Sequence, residues 1–327
     1  MNDQQMKMSV FEKWKTIANC HRFYRQAMST IFEIFIINDD RRYAQQAAWA
    51  AFDELERIEA ELSRFIENSD ISQINNLCEK QPLQIGLDTF ECLKLSRRIC
   101  RDTGGAFDVT VGALMDFWLD EQKQTRTPSL QEIDSARENV GCCNIILDEE
   151  DHTVTLEKSV QIDLGGIGKG YGVDRMAELL GQWSIDTALI NGGSSSILAM
   201  FCPPDVKGWP VTLRNPNDQS VLSNIYLKNC VLSGSGVQKG FHIIDPLTAQ
   251  PVKDRLACWV ITPNSAASAD ALSTAFMVMP PDEIERYCSA YPDIEALTIV
   301  NDKGKNRIQV FGSSRFFGMG KNNEGLD

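Results

Sequence analysis

The sequence predicts an α+β protein in which two closely joined lobes of largely antiparallel sheet carry packed helices. Strand-like stretches outnumber clear strand-helix-strand alternations, which a doubly wound parallel sheet would require. The length of 327 residues suits one large domain with an ample core. Because no internal repeat or low-complexity linker marks a boundary, we expect one domain over 21–312, a flexible lead-in over 1–20 and a loose tail over 313–327.

Helices are indicated by apolar residues that recur on one face and by stop and cap signals. Leu87 opens the apolar positions of the second helix, and Gly104 is placed to end it. Ser129 and Glu132 have the spacing of a capping box. Six helices are expected: 43–62, 87–103, 129–140, a central one from about 173 to a stop at Gly181, 267–278 and 282–289.

Strands are indicated by short apolar or alternating runs between turn-forming residues. The first is expected at 28–37, and three short strands at 144–163, the last of which would deliver Asp163. The others are expected at 187–190, 197–200, 225–228, 230–232, 257–262, 297–300 and 307–311, with a short stretch at 242–246. A further strand followed by turn residues is expected within 209–218.

Composition and charge exclude several kinds of partner. The net charge of −13 disfavours binding to nucleic-acid backbones or anionic membranes. No apolar run reaches 18 residues, so no membrane insertion is expected. The first residues lack a signal-peptide core, and the ten cysteines contain no C-x-x-C pair. We therefore expect a cytoplasmic protein with mostly reduced, packing cysteines and no zinc site, the adjacent pair Cys142 and Cys143 being the one oddity.

A glycine-rich stretch, IDLGGIGKGYGVD at 162–174, is the centre of the sequence. A strand followed by glycines and a helix start suits a phosphate or pyrophosphate, and Lys169 adds a cation there. The stretch matches neither the P-loop nor the dinucleotide-binding fingerprint, since Gly170 and Tyr171 stand at required positions of those motifs. An ordinary tight strand-to-helix connection explains the same glycines.

A second element is the helix SAASADALSTAF at 265–276. Asp270 and Thr274 are four residues apart and share a face, where a carboxylate and a hydroxyl suit a hard cation such as Mg²⁺. Helix capping by the aspartate and back-bonding by the threonine would explain the pair equally well. Two further stretches, GGAFDVT at 104–110 and FHIIDP at 241–246, carry polar groups that suit either a site or ordinary turns.

Taken together, in the order GGAFDVTVG, IDLGGIGKGYGVD, HIIDPLTAQPV and ADALSTA, these motifs resemble the ApbE-type FAD:protein FMN transferases over residues 27–312. The resemblance implies an ApbE-like, T-fold-like architecture with an FAD cleft between the lobes. It further implies Mg²⁺-dependent transfer of FMN from FAD to a Thr or Ser hydroxyl group of an acceptor flavoprotein that carries a flavinylation motif, with release of AMP.

The resemblance also implies roles for particular residues. His242 would be the base that activates the acceptor hydroxyl, and Asp245 would orient it or form the turn. Metal ligands would be the side chains of Asp270 and Thr274 and the carbonyl of Gly166, with Ser273 beside them. The FAD site would be formed by the following residues: Met28, Phe65, Ala106, Phe107, Asp108, Asp163, Lys169, Gly193, Ser194 and Ile243.

Several residues depart from the family pattern, and the shortened segment before His242 could alter the choice of acceptor. Phe65 stands where relatives often have Tyr, and Ser194 stands where an acidic residue is frequent. The turn after His242 has Leu247 and Ala249 in place of the usual Arg and Gly, and the segment before His242 is short. An FAD pyrophosphatase or a non-catalytic FAD-binding protein are alternative functions, and a homodimer is left open.

Overall fold

The computed structural model describes residues 9–10, 14–15, 17–118, 126–202, 206–237, 243–263, 265–302, 305–313 and 315–317. Its eight helices are α1 (Arg41–Leu62), α2 (Asp70–Asn75), α3 (Leu87–Asp102), α4 (Gly112–Trp118), α5 (Leu130–Glu138), α6 (Gly168–Gln182), α7 (Ala266–Val278) and α8 (Pro281–Ala290), counted over these residues. The predicted capping box of Ser129 and Glu132 is formed at the start of α5. Among the described helices, none combines the length and apolar character needed to cross a bilayer.

The described strands are β1 (Ser9–Val10), β2 (Cys20–Ala27), β3 (Thr30–Ile37), β4 (Leu83–Gln84), β5 (Ile145–Asp148), β6 (Thr153–Leu156), β7 (Ala188–Gly192), β8 (Ser196–Ala199), β9 (Trp209–Arg214), β10 (Val221–Leu227), β11 (Cys230–Gly236), β12 (Ile244–Asp245), β13 (Gln250–Pro251), β14 (Arg255–Thr262), β15 (Glu295–Asp302) and β16 (Lys305–Phe311). The central sheet has eight strands in the order β16-β15-β14-β11-β8-β7-β3-β2. Every pairing within it is antiparallel. The predicted α+β class with largely antiparallel sheet is confirmed.

The central sheet is covered on both faces because its strands alternate apolar side chains between two cores. On β3, Ile34 and Ile36 pack in a core with residues of α1 and α6. Phe35, between them, packs in another core with Trp209 of β9. The three-stranded sheet β1-β9-β10 therefore covers the face opposite the helices. A third core joins α3 and α7 to the small sheet β4-β6-β5.

Several boundaries differ from the predictions. The strand expected from residue 28 begins at Thr30, because Met28 and Ser29 form a two-residue turn from β2, a strand that the sequence reading missed. Leu87 is 60% exposed, so it is not part of the apolar face of α3. Only two of the three strands expected at 144–163 form, and the third is reduced to one bridge between Val111 and Gln161.

The glycine-rich stretch also differs from its prediction. Helix α6 begins at Gly168, inside the glycine run, and includes Gly181, which was expected to end it. Gly170 lies inside the helix, where a Cβ atom would come 2.2 Å from the carbonyl oxygen of Ala266 at the start of α7. Asp163 follows the bridge at Gln161 rather than ending a strand. The glycine at position 170 therefore serves the close contact of two helices.

The predicted terminal segments contain ordered contacts where they are described. In the lead-in, β1 pairs with β9, and Trp14 packs edge-on against Phe35 with ring centroids 5.1 Å apart. In the tail, the backbone N–H groups of Arg315 and Phe316 donate hydrogen bonds to Glu295. These contacts join parts of both segments to the domain.

The cysteines are mostly reduced, as predicted, with one disulfide as the exception. Cys100 and Cys142 form a disulfide across 42 positions of sequence, and the other eight cysteines are free. Within the described residues, three metal-ligating groups of the His, Cys, Asp or Glu type come within 4.8 Å of one another only at Cys100, Asp108 and Cys142. There the two sulfur atoms are bonded to each other.

The contact at Gly170 gives a stability prediction. Gly170→Ala should lower the free energy of unfolding by about 1–3 kcal/mol, because the methyl group has no space against the α7 backbone. Gly181→Ala is a matched control in the same helix, since a Cβ atom there has no neighbour within 4 Å. It should leave stability unchanged or raise it by up to about 1 kcal/mol. Urea unfolding of both variants tests this, and equal effects would contradict the packing argument.

Candidate functional site

A cavity of about 330 Å³ opens where the end of the central sheet meets the start of α6 and the middle of α7. It brings together residues that are far apart in sequence. Of the predicted site residues, the following line it: Met28, Ala106, Phe107, Asp108, Asp163, Gly166, Lys169, Gly193, Ser194, Ile243, Asp270 and Thr274. The four motifs singled out in the sequence therefore meet at one place.

Oxygen donors converge at one side of this cavity. Asp270 is 2% exposed, and its Oδ2 accepts a hydrogen bond from the N–H of Gly170 at 3.1 Å. One turn later on α7, the Oγ1 of Thr274 lies near Gly166, where a Cβ atom would be 3.2 Å away. A carboxylate, a hydroxyl group and a backbone segment thus meet, and all three offer the oxygen ligands that Mg²⁺ prefers. The residues present therefore fit a hard divalent cation.

Charge in this region is arranged around a buried carboxylate. Burial raises the pKa of Asp270, while the Lys169 ammonium lowers it. The Lys169 Nζ lies 3.7 Å from the Asp270 Oδ2 and donates a hydrogen bond of 2.8 Å to the carbonyl of Gly165. A second cation at this position would further stabilise the ionised form of Asp270.

Three glycine N–H groups that were candidates to bind a phosphate instead donate hydrogen bonds within the protein. The N–H of Gly165 donates to Asp163, and the N–H of Gly168 donates to the carbonyl of Leu164. The N–H of Gly170 donates to Asp270. The expected cradle of these three backbone donors is therefore not formed, and Lys169 is the cation that the stretch brings to the cavity.

Helices α6 and α7 are joined by a second carboxylate. Asp174 of α6 accepts hydrogen bonds from the N–H groups of Ala266 and Ala267, at 2.7 and 2.9 Å, and so caps the start of α7. Burial raises the pKa of Asp174 to about 6, although these hydrogen bonds favour the ionised form. The cap fixes the position of the helix that carries Asp270 and Thr274.

Two hairpin turns form another wall of the cavity. Met28 and Ser29 both have positive φ angles, as a two-residue turn with the twist of its strands requires. Gly193 has a φ of 64°, and a Cβ atom there would come 2.4 Å from the Thr30 side chain, so both backbone and space require glycine. Because β3 pairs with β7, these turns lie at the same end of the sheet.

Asp108 also lines the cavity, and hydrogen bonds hold its carboxylate in place. Its Oδ1 accepts from the N–H and the hydroxyl group of Thr110, at 2.8 and 2.6 Å. Its Oδ2 accepts from the N–H of Cys142 at 2.8 Å. Burial raises the pKa of Asp108, whereas these hydrogen bonds lower it.

Three of the predicted site residues that the structure describes do not line the cavity. Phe65 is 73% exposed and stacks under Arg64. Ser273 is fully buried, and its Oγ lies 2.8 Å from the Oγ of Ser235. Asp245 accepts hydrogen bonds from the N–H of Leu247 and the hydroxyl of Thr248, as a turn residue does. His242 lies outside the described residues.

Sequence reasoning missed two polar residues of this region. Ser235 lines the cavity, and its Oγ lies 3.0 Å from the Oγ1 of Thr274. Arg64 approaches Asp163 at 3.3 Å and also pairs with Asp116. Ser235 gave no signal because it lies in a strand with no motif. Arg64 gave no signal because its partner Asp163 is 99 positions away in the chain.

The raised pKa of Asp174 gives a pH prediction. An acid with a raised pKa in the folded state contributes stability that is present below its unfolded pKa and is lost as the pH rises through the folded value. Relative to Asp174→Asn, the wild type should therefore lose up to about 3 kcal/mol of unfolding free energy between pH 4 and pH 7.

Urea unfolding of both proteins across this range measures the difference. Asp151→Asn, at an exposed turn on another part of the surface, is the matched control and should show no such trend. A difference between wild type and Asp174→Asn that is constant with pH would contradict the burial of this carboxyl.

Comparisons with known proteins agree on one family. The ApbE family model matches residues 28–298. The FAD:protein FMN transferase of Klebsiella pneumoniae is 26% identical over 278 residues, which cover 80% of this chain and 79% of that protein. The transferase of the same name from Haemophilus influenzae is 29% identical and covers 70% of this chain and 71% of its own. The crystal structure of the ApbE protein of Thermotoga maritima superposes with a TM-score of 0.80 at 25% identity, covering 89% of this chain and 97% of that one.

Proposed function

The chain belongs to the ApbE family, and we propose that it transfers FMN from FAD to a Thr or Ser hydroxyl group of an acceptor protein, with Mg²⁺ as cofactor and AMP as the second product. The observation that carries the proposal is the convergence of Asp270, Thr274, Gly166 and Lys169 at one cavity. The names of the relatives support the transfer of FMN to protein. The oxygen donors at the cavity support the proposal that Mg²⁺ is the cofactor.

The metal-holding groups in this proposal are the Asp270 carboxylate, the Thr274 hydroxyl and the Gly166 carbonyl. Bound there, Mg²⁺ would act as a Lewis acid that neutralises charge on the FAD pyrophosphate. Ser235 orients the Thr274 hydroxyl through the hydrogen bond between them. Ser273 is buried, and its hydroxyl group bonds to that of Ser235. We therefore propose that Ser273 positions Ser235 and is not itself a metal ligand.

The remaining charge at the pyrophosphate is balanced by Lys169. Its ammonium group is held by the Gly165 carbonyl and faces the cavity beside Asp270. A positive charge held in place before the reaction stabilises negative charge that develops on the leaving AMP. Asp163 contributes differently, since it accepts from Gly165 and Arg64 and so fixes the loop that carries Gly166.

We assign His242 as the base that takes the proton from the acceptor hydroxyl group. A neutral imidazole nitrogen can take a proton at pH 7, because the ordinary pKa of histidine is about 6.5. The assignment rests on its place in the HIIDP motif. Asp245, the next polar residue of that motif, accepts two hydrogen bonds of its own turn and so shapes the loop.

The direct test is incubation of the purified protein with FAD and Mg²⁺, with and without a Thr-containing acceptor peptide. A peptide that gains the mass of FMN, with an equal amount of AMP, would support the transferase. AMP and free FMN without labelled peptide would indicate pyrophosphate hydrolysis. Bound FAD without AMP in either sample would overturn the proposal of catalysis.

Asp270→Asn tests the metal site while keeping the shape of the side chain. Loss of the carboxylate should lower Mg²⁺-dependent AMP release by roughly 100-fold. The apo protein should be no less stable, because the variant removes a buried charge. Asp282→Asn on the exposed part of α8 is the control and should retain full activity. Unchanged AMP release by Asp270→Asn would refute the metal assignment.

His242→Gln tests the base. Transfer should slow by about 100-fold with little change in FAD affinity, because general base catalysis contributes to the reaction step alone. The wild-type rate should fall as the pH drops below the histidine pKa, and the variant rate should lack this dependence. His21→Gln is the control, since the His21 ring bonds to the carbonyl of Asn38 in the β2–β3 region. A wild-type rate for His242→Gln from pH 6 to 8 would exclude this role.

A further inference from the structure

The Cys100–Cys142 disulfide lies between the candidate cavity and a second groove on the surface. Asp108, which lines the cavity, has its Oδ2 3.6 Å from the Cys100 Sγ and 2.8 Å from the Cys142 backbone nitrogen. On the other side, Cys142 lines a groove of about 760 Å³ beside α3. The disulfide thus contacts the wall of one cavity and is reached from the other.

The groove has more basic than acidic residues in its lining, four against Glu91 and Asp174, in a protein with a net charge of −13. Lys94, Arg97, Arg98 and Arg101 follow each other at helical spacing along α3 and line it. Lys94 pairs with Glu149, and Arg101 pairs with Asp102. Across the described part of the chain, no carboxylate lies within 4 Å of Arg97 or Arg98. An anionic small molecule would therefore be attracted to this groove.

Access to the two sulfur atoms is unequal. Cys100 is 4% exposed, whereas Cys142 is half-buried and lines the groove. Cys142 is thus the more exposed residue of the pair, so we take its sulfur as the one that an incoming thiolate attacks and Cys100 as the leaving group.

Reduction would change the hydrogen bonding of Asp108. In the disulfide, Cys100 carries no proton and cannot donate to the carboxylate. As a thiol, it could donate to the Oδ2. The segment 141–142 also supports Asp108 and its partner, since the Gly141 N–H donates to the Thr110 hydroxyl oxygen at 2.7 Å. The disulfide ties this segment covalently to α3, and reduction removes that tie.

We infer that Cys100 and Cys142 form a thiol–disulfide exchange site for an anionic low-molecular-weight thiol, and that its redox state sets the affinity of the cavity for FAD through Asp108. One thiol, RSH, attacks the Cys142 sulfur, which gives a Cys142–S–S–R mixed disulfide and the Cys100 thiol. A second RSH releases RSSR and the Cys142 thiol. Two electrons and two protons pass from two RSH to the protein, and RSSR reverses the reaction. The coupling to FAD rests on the proposed function.

The first experiment counts thiols and measures FAD binding. Alkylation under denaturing conditions should modify eight cysteines in the oxidised protein and ten after reduction with a phosphine. Calorimetric titration should show a dissociation constant for FAD that is about fivefold or more higher in the reduced protein. Cys142→Ser should abolish the difference, and Cys143→Ser, at the exposed neighbouring cysteine, should keep it.

The outcomes separate the two proposals. Ten alkylated cysteines in protein equilibrated with glutathione disulfide would overturn the exchange site. Equal FAD affinity in the two states would overturn the coupling, while absence of FAD binding in both would overturn the proposed function as well. If Cys142→Ser fails to fold, Cys100→Ser and the titration of wild-type protein in both states still decide the matter.

A second measurement tests the class of the thiol. Reduction by glutathione, which is anionic, should be about fivefold or more slower in an Arg97→Gln/Arg98→Gln variant than in the wild type at low ionic strength. Reduction by neutral β-mercaptoethanol should be unchanged in the variant. Equal slowing with both thiols, or no slowing with either, would overturn the role of the cationic groove.

Discussion

The contact between α6 and α7 is the constraint on which the candidate site depends. At Gly170 the two helices approach so closely that a single methyl group would overlap the backbone of Ala266. Asp174 then caps the start of α7, and Asp270 of α7 accepts the N–H of Gly170 in return. This reciprocal arrangement leaves the relative position of the helices little freedom. It places Lys169 and Asp270 at the same cavity, where the proposed reaction uses both.

The central sheet supplies the other half of the site through its turns. The antiparallel pairing of β3 with β7 brings two hairpin turns to one end of the sheet, and strand β11 adds Ser235 beside them. A two-residue turn with positive φ at Met28 and Ser29 costs conformational energy of about 1 kcal/mol or more per residue. Dense packing on both faces of the sheet offsets such strain, so the cavity walls are held by the core rather than by the loops themselves.

Electrostatics in the site follow from burial. The carboxyls of Asp108, Asp174 and Asp270 all have raised pKa values with burial as the largest cause. Each is placed differently: Asp174 caps a helix, Asp108 is held by hydrogen bonds near a disulfide, and Asp270 faces the cavity beside a lysine. The last is the arrangement in which a bound cation would relieve the cost of burying a charge. Burial thus raises the pKa of all three carboxyl groups, and only that of Asp270 lies where the proposed metal would bind.

The sequence by itself determined the fold class, most helices and the motifs that meet at the cavity, because apolar periodicity and capping signals are local. Only the tertiary structure decided which glycines pack helices, since the neighbour of Gly170 is 96 positions away in the chain. Likewise, Ser235 is part of the site only because distant strands pair. The exposure of Phe65 also depends on tertiary packing and could not be predicted from the local sequence. The disulfide likewise depends on α3 meeting a loop 42 positions later. Contacts of this kind are set by packing, which no local pattern encodes.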